Sequence, residues 1–297
     1  MGSAMARNLV RAGHRVAAWD RTRGKIEALE EDGVAAAESP AEAAREVEVV
    51  FTSVSDDHAL YDVVLGSTDG DGRGVRDPLI RGLAPGAVHV SLSTISPSFS
   101  RYLAERHHEA DQGYVAAPVL GRPEAAERGE LVVLAAGDDD ALTLCEPLLA
   151  VLGTATHRLG TRPELANATK LAANFVLATL IEAFGEAYAL AESYGVGSSL
   201  VLDILKHSLL RPDAIEAYGE RIAKGQFEPA GFRLQVGLKD IDLILGAGEA
   251  VSLPMPIASV LRDRFLVAMA VGLGDKDWSA IARTLPRKRS ASPNQGA

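Results

Sequence analysis

The sequence is short of several things, and each shortage removes a class of function. Cys145 is the only cysteine in 297 residues, so no internal disulfide can form and the cytoplasm is the expected compartment. The 7 histidines are scattered, with only His107 and His108 adjoining. No set has the spacing of a zinc site, so no metal is expected. Basic residues are outnumbered: 30 Lys and Arg stand against 40 Asp and Glu, a formal net charge of −10. A nucleic-acid surface needs a concentrated basic patch, so nucleic acid is not an expected partner. No apolar run approaches the ~18 uninterrupted residues of a membrane span. Residues 1–12 are short, amphipathic and interrupted by Arg7, Asn8 and Arg11, unlike a secretory leader. No membrane association is expected, and no internal repeat is visible. What remains, at 47% hydrophobic and 24% charged, is a globular chain long enough for two domains with full cores.

Strand and helix patterns alternate up to about residue 160. HRVAAWD, EVVFTSV, AVHVSLST, YVAAPVLG, LVVLAAG and ATHRLG read as strands, with helical patterns between them. EVVFTSV is nearly all apolar, as in a strand covered on both faces. The alternation predicts an α/β domain over 1–160, with a mostly parallel sheet and helices on both sides. From 161 to 285 the pattern is helix after helix, at 163–194, 198–209, 212–223, 236–250 and 256–271, which predicts an all-helical second domain. The stretch 286–297, PRKRSASPNQGA, is basic, polar and rich in breakers, and is expected to be a disordered tail.

The helix predicted from Pro163 to Tyr194 is apolar on most faces, which predicts burial. Thr161 and Glu164 have the spacing of a capping box, with Pro163 in the first turn. Gly195 suits the left-handed residue that ends a helix. Against this apolar background Asn167, Lys170 and Asn174 fall at i, i+3 and i+7, on one face. A buried lysine between two carboxamides is costly unless something polar lies in front of it. The stripe is either a catalytic ammonium with its positioning groups or a solvated patch at a helix start. The rarity of buried lysines favours the first.

Dinucleotide-binding α/β domains open with a strand, a G-x-G-x-x-G turn and a helix whose N-terminus holds the pyrophosphate. Here Gly2, followed by Ser3, stands where the third glycine belongs. The first strand and two glycines are absent from the sequence. That strand would lie between the strands at 15–20 and 47–54, and the expectation is a start placed too far downstream. The second strand ends at Asp20, which could accept from ribose hydroxyls and favour NAD. Arg21, Thr22 and Lys25 could hold a 2′-phosphate and favour NADP. The same residues would also serve an ordinary solvated turn.

Several spaced motifs match one family. MGSAMARNLVRAGHRVAAWDRT, STISP at 93–97, APVLGRPEAAERGEL, TKLAAN, F-x6-K-D from Phe232 to Asp240, and DKDW at 275–278 together resemble the β-hydroxyacid dehydrogenases. These include 3-hydroxyisobutyrate dehydrogenases and glyoxylate/succinic semialdehyde reductases. The resemblance runs from residue 1 to about 283. It implies a Rossmann-type domain followed by a helical substrate and dimerisation domain. It implies a hydride transfer between NADP(H), with NAD possible, and a small aldehyde acid or 3-hydroxy acid. Lys170 is implied as the general acid/base and Asn174 as its companion, with Thr94 in contact with the cofactor. Val54 and Ser55, at an equivalent strand end, could offer backbone amides to it, or form an ordinary turn. Lys239 is implied to reach cofactor or substrate carboxylate and Phe232 to cover the nicotinamide, while Asp240 either supports Lys239 or serves as a cap.

Leu120, Gly121 and Arg122 take the substrate-binding positions. The family's usual APVSGG reads APVLGR here, so a serine hydroxyl is lost, and Arg122 either replaces it or points to solvent. Asn167 either supports the site or continues the polar stripe. Two alternatives stand beside this reading. Imine reductases share the architecture but usually carry Asp or Tyr where Lys170 stands. A non-catalytic remnant would fold without holding a dinucleotide. A homodimer or homotetramer is expected from the apolar surface of the helical domain.

Overall fold

The computed structural model describes residues 1–67 and 75–285, the side chain of Ala214 excepted. The expected tail at 286–297 lies outside the described residues. The chain divides into two compact units, Met1–Val176 and Leu177–Ala297.

The first unit alternates as the sequence predicts. In order it contains α1 (Gly2–Arg11), β1 (Ala17–Ala18), α2 (Arg23–Glu30), β2 (Ala35–Ala36), α3 (Pro40–Ala43), β3 (Val49–Thr52) and α4 (Asp57–Leu65). Then come α5 (Leu79–Gly82), β4 (Val88–Ser91), α6 (Pro97–Glu109), β5 (Gly113–Ala116), β6 (Val119–Leu120), α7 (Pro123–Glu127), β7 (Leu131–Gly137), α8 (Asp139–Leu152) and β8 (Gly153–Arg158). Short polar residues start the helices. Ser39 Oγ accepts the Glu42 N–H at 3.1 Å and Asp56 Oδ1 the Ala59 N–H at 2.9 Å. Ser96 Oγ accepts the Phe99 N–H at 3.2 Å. Each such cap is worth ~1 kcal/mol.

β1 and β2 pair in parallel with each other, while the remaining strands form a second sheet in the order β3-β4-β5-β7-β6, with β8 on β7. Among the described residues no ladder joins β1 to β3. The pairs β3–β4, β4–β5 and β7–β8 are parallel; β5–β7 and β6–β7 are antiparallel. The sheet is therefore mixed. Pro118 separates β5 from β6, since it cannot donate to a ladder, and its carbonyl takes the Leu134 N–H at 3.0 Å. Side chains alternate between two cores. Val90, Val115 and Val133 face α1 and α8 through Met5, Leu9 and Leu149. Tyr114, Ala116 and Leu134 face α4 and α6 through Leu60, Val64 and Leu103.

A long helix, α9 (Glu164–Ser193), crosses the division between the units. Its first turns, through Leu165 and Ala166, pack into the α4–α6 core. The expected capping box gives way to an ion pair: Glu164 holds the Arg162 guanidinium at 2.7 Å. The expectation that α9 is buried is corrected. Phe175 is 72% exposed, Val176 57% and Ile181 62%. An apolar sequence shows that a surface wants covering, not that its own chain covers it. By length and composition α9 reaches the range of a membrane span. Yet Glu186 within it is buried.

The second unit continues with α10 (Ser198–Lys206), α11 (Pro212–Lys224), α12 (Leu234–Ala250), α13 (Pro256–Ala270) and a 3-10 turn at Trp278–Thr284. Its core gathers Phe227, Leu234, Ile241, Phe265 and Ala280. Glu186 closes the start of α13, accepting the N–H of Ile257 at 2.6 Å and of Ala258 at 3.4 Å. These are the amides a helix start leaves unpaired.

Candidate functional site

Ligands in open α/β sheets bind beyond the carboxyl ends of the strands, and here β3 and β4 end side by side in parallel. The loops that follow are tied together. Val54 N–H donates to Ser93 Oγ at 2.9 Å. Asp57 accepts from Ser96 twice, from N–H at 2.8 Å and from Oγ at 2.5 Å. Thr94 lies half-buried inside this clamp. The Val54 amide, which could have served a cofactor or an ordinary turn, is committed to Ser93. Ser55 Oγ donates to Asp56 at 2.7 Å. α1 begins nearby: a Cβ on Gly2 would stand 3.5 Å from Ser53 Cβ, and Ser3 is exposed. The free amides of that helix start suit a phosphate.

At the end of β1, Asp20 Oδ1 accepts the Thr22 N–H at 2.8 Å, and Lys25 Nζ lies 3.7 Å from Oδ2. Beside them is a hollow of about 260 Å³ lined by Trp19, Asp20, Arg21, Glu27, Ala37 and Glu38. Arg23 is spent on Glu27 and Glu38. Arg21 is exposed and joins no ion pair among the described residues. One carboxylate is thus partly neutralised, and one guanidinium is available at the rim.

The opening turns of α9 hold Asn167 and Lys170. Leu165 and Ala166 pack in one cluster with Val54, Ile95 and Leu120, which sets this helix start against the ends of β3 and β4 and against β6. Asn167, next in sequence, is fully buried, and neither Oδ1 nor Nδ2 has a hydrogen-bond partner. Each such orphan costs about 1–3 kcal/mol. Lys170, one turn on, is 9% exposed, in no ion pair among the described residues, and burial lowers its pKa from the ordinary 10.5. Desolvation disfavours the ammonium. Asn174, expected as the companion of Lys170, is exposed. The reading that Asn167 only continues the polar stripe is overturned, because a solvated stripe would not bury an amide with both atoms unpaired.

Leu120 is half-buried, and Gly121 follows at φ +140°, a conformation that favours glycine. Arg122 is exposed at the start of α7, with no ion pair among the described residues.

In the second unit Phe232 packs edge-on against Trp278, ring centroids 5.0 Å apart. Asp277 fixes both. Its carboxylate accepts the Gly231 N–H at 3.0 Å, the Phe232 N–H at 3.3 Å, the Ser279 N–H at 3.1 Å and the Ser279 hydroxyl at 2.5 Å. Burial opposes its charge, but these bonds win and hold its pKa below the usual carboxylate value. Lys239 is exposed and pairs with Asp240 at 2.8 Å.

A buried relay escaped the sequence reading. His89 Nε2 lies 2.8 Å from Thr52 Oγ1, His89 Nδ1 2.8 Å from His107 Nε2, and His107 Nδ1 2.8 Å from Gln112 Oε1. Gln112 Nε2 donates to the Ile80 and Leu83 carbonyls at 2.9 and 2.6 Å. Its Oε1 must therefore accept, which places a proton on Nδ1 of both histidines and makes Thr52 the donor. Burial pushes His107 down to about 4 and His89 well below 6.5. Both are neutral, and every ring nitrogen is paired.

Comparison with known proteins agrees with this geometry. Residues 1–160 match the NAD binding domain of 6-phosphogluconate dehydrogenase, and residues 165–285 match the NAD-binding domain of NADP-dependent 3-hydroxyisobutyrate dehydrogenase. An uncharacterized oxidoreductase of Bacillus subtilis, YfjR, is 36% identical over 96% of this chain and 96% of its own. Glyoxylate/succinic semialdehyde reductase 1 of Arabidopsis thaliana is 31% identical over 97% of this chain and 96% of its own. The imine reductase of Myxococcus stipitatus in complex with NADP+ shares the fold, with TM-score 0.83 at 19% identity over 95% and 96% of the two chains. With a dinucleotide-binding sheet, a lysine placed on the first helix after it, and matches along nearly its whole length, the chain belongs to the β-hydroxyacid dehydrogenase family of NAD(P)-dependent oxidoreductases.

Proposed function

We propose that the chain reduces the aldehyde group of a small aldehyde acid, or runs the reverse oxidation of a 3-hydroxy acid, with NADP(H) preferred. A relative is named for glyoxylate and succinic semialdehyde, which supports that substrate class. The observation that carries the reading is Lys170: buried, in no ion pair among the described residues, and shifted toward neutrality. Bound NADPH supplies hydride to the carbonyl carbon. Lys170 Nζ gives its proton to the carbonyl oxygen, leaves as a neutral amine and is reprotonated from water; in the oxidative direction it takes the hydroxyl proton. The exposed Arg122 is the cation available for the substrate carboxylate where the family's serine is lost. Phe232, Lys239 and Asn174 are assigned to substrate and cofactor by the resemblance alone.

The test is NADPH oxidation across glyoxylate, succinic semialdehyde, other short aldehydes and a cyclic imine. Turnover of aldehyde acids is expected; turnover confined to the imine would replace this reading with the imine-reductase one.

We further propose a homodimer or larger even-numbered assembly built on a second copy of the helical unit. Exposed Ile181 on α9, Leu200 and Ile204 on α10 and Ile215 on α11 form more apolar surface than single chains usually leave to water. Sedimentation velocity at micromolar concentration should show no species at the 31.3 kDa of one chain.

A further inference from the structure

We propose that Asn167 reads the carboxamide of the bound nicotinamide, with Nδ2 donating to its carbonyl oxygen and Oδ1 accepting from its amino group. Asn167 has one donor group and one acceptor buried side by side, and neither is paired. A satisfying partner must offer both functions at once. A carboxylate or phosphate offers only acceptors and leaves Oδ1 bare. A hydroxyl offers both, but through one atom that cannot face the two ends of an amide together. A primary carboxamide matches it with two antiparallel hydrogen bonds.

Position supports the same partner. Leu165 and Ala166, just before Asn167, pack with Val54 and Ile95 at the carboxyl ends of β3 and β4. Asn167 is one turn nearer that packed start of α9 than Lys170, whereas Asn174, one turn beyond, is exposed. Lys170 does not satisfy Asn167, since no hydrogen bond joins them. The inference rests on the family's use of a nicotinamide cofactor and adds the residue that fixes the rotation of its ring substituent. The competing partners are two ordered waters, one at each end of the amide.

The test is binding, not turnover. Wild type, Asn167→Ala and Asn167→Leu are titrated with NADPH and with the reduced 3-acetylpyridine analogue of NADP, in which a methyl replaces the amino group. Wild type should prefer NADPH over the analogue by roughly five- to tenfold, the usual worth of one hydrogen bond. The variants should bind NADPH roughly tenfold more weakly or worse, and their preference between the two ligands should vanish, as a mutant cycle requires of a direct contact. Without ligand, Asn167→Leu should melt above wild type, because it removes two buried orphans and keeps the volume. Unchanged NADPH affinity in the variants, or a preference that survives substitution, would overturn the role of Asn167 and leave the amide to ordered waters. Failure of the wild type itself to bind NADPH would sink this inference together with the cofactor reading beneath it.

Discussion

Two buried polar clusters in the first unit differ in one respect. In the Thr52–His89–His107–Gln112 relay every ring nitrogen and both ends of the glutamine amide are paired. At the start of α9, Asn167 is fully buried with both amide atoms empty, and Lys170 is buried in no ion pair among the described residues. Burial alone therefore does not mark a functional site. A network that satisfies itself holds the fold together. One that leaves donors and acceptors vacant costs stability and is retained where something else completes it.

Four experiments press on that contrast. The largest effect is expected at the incomplete cluster. Lys170→Ala should lower kcat by roughly 10²–10⁴-fold, the typical worth of a positioned acid/base, while the dissociation constant for NADPH stays within a few-fold. Steady-state kinetics beside fluorescence titration separates the two, and a variant keeping more than a tenth of wild-type kcat would remove Lys170 from the chemistry.

The complete cluster should answer in stability instead. His107→Ala leaves Gln112 Oε1 and His89 Nδ1 unpaired and opens a cavity, for a loss of about 3–5 kcal/mol in urea unfolding. Joint replacement of His89 and His107 by apolar residues of similar size should cost less than the single change. A single substitution that costs nothing would mean that the relay does not pay for its own burial.

Acid should reach the relay next. His107 in the folded chain sits near 4 against 6.5 in its ordinary state, and His89 is shifted the same way. Between those values the unfolded chain binds more protons than the folded one, so stability is full above about 6.5 and falls as pH drops toward 4. His107 alone would contribute roughly 3 kcal/mol over that window. The slope should flatten when both histidines are replaced; an equal slope would assign the acid sensitivity to the carboxylates.

The smallest effect lies at the rim of the first unit. Arg21→Ala should weaken NADPH about tenfold and NADH hardly at all, because Arg21 is exposed with no ion pair among the described residues while Arg23 is already spent. Equal losses for both cofactors would make Arg21 a general surface charge rather than a reader of the 2′-phosphate.

Local patterns survived the passage from sequence to structure; pairings between distant residues did not. EVVFTSV is nearly all apolar and LVVLAAG wholly so, which made β3 and β7 plain from composition. The antiparallel return of β6 on β7 turns on Pro118 and a carbonyl, which no periodicity reports. Lys170 stood out as a charge in an apolar helix. Asn167 stayed open between two readings because amides at helix starts are usually solvated, and only burial distinguishes this one. The relay was invisible because Thr52, His89, His107 and Gln112 come from separate segments, and scattered histidines carry no spacing signal. The exposed face of α9 was misread for a related reason: periodicity gives the face that wants covering and is silent on what covers it.

The carboxylate of Asp277 has a consequence for where this protein can be trimmed. It receives hydrogen bonds from Gly231, Phe232 and Ser279, so residues far apart in the chain are held as one knot. Shortening that stops ahead of Asp277 would untie all of them together and set loose the segment that carries Phe232 into α12. Shortening that stops after Thr284 would leave the knot whole. One acidic side chain thus sets a limit on how far the helical unit can be shortened while it keeps its shape.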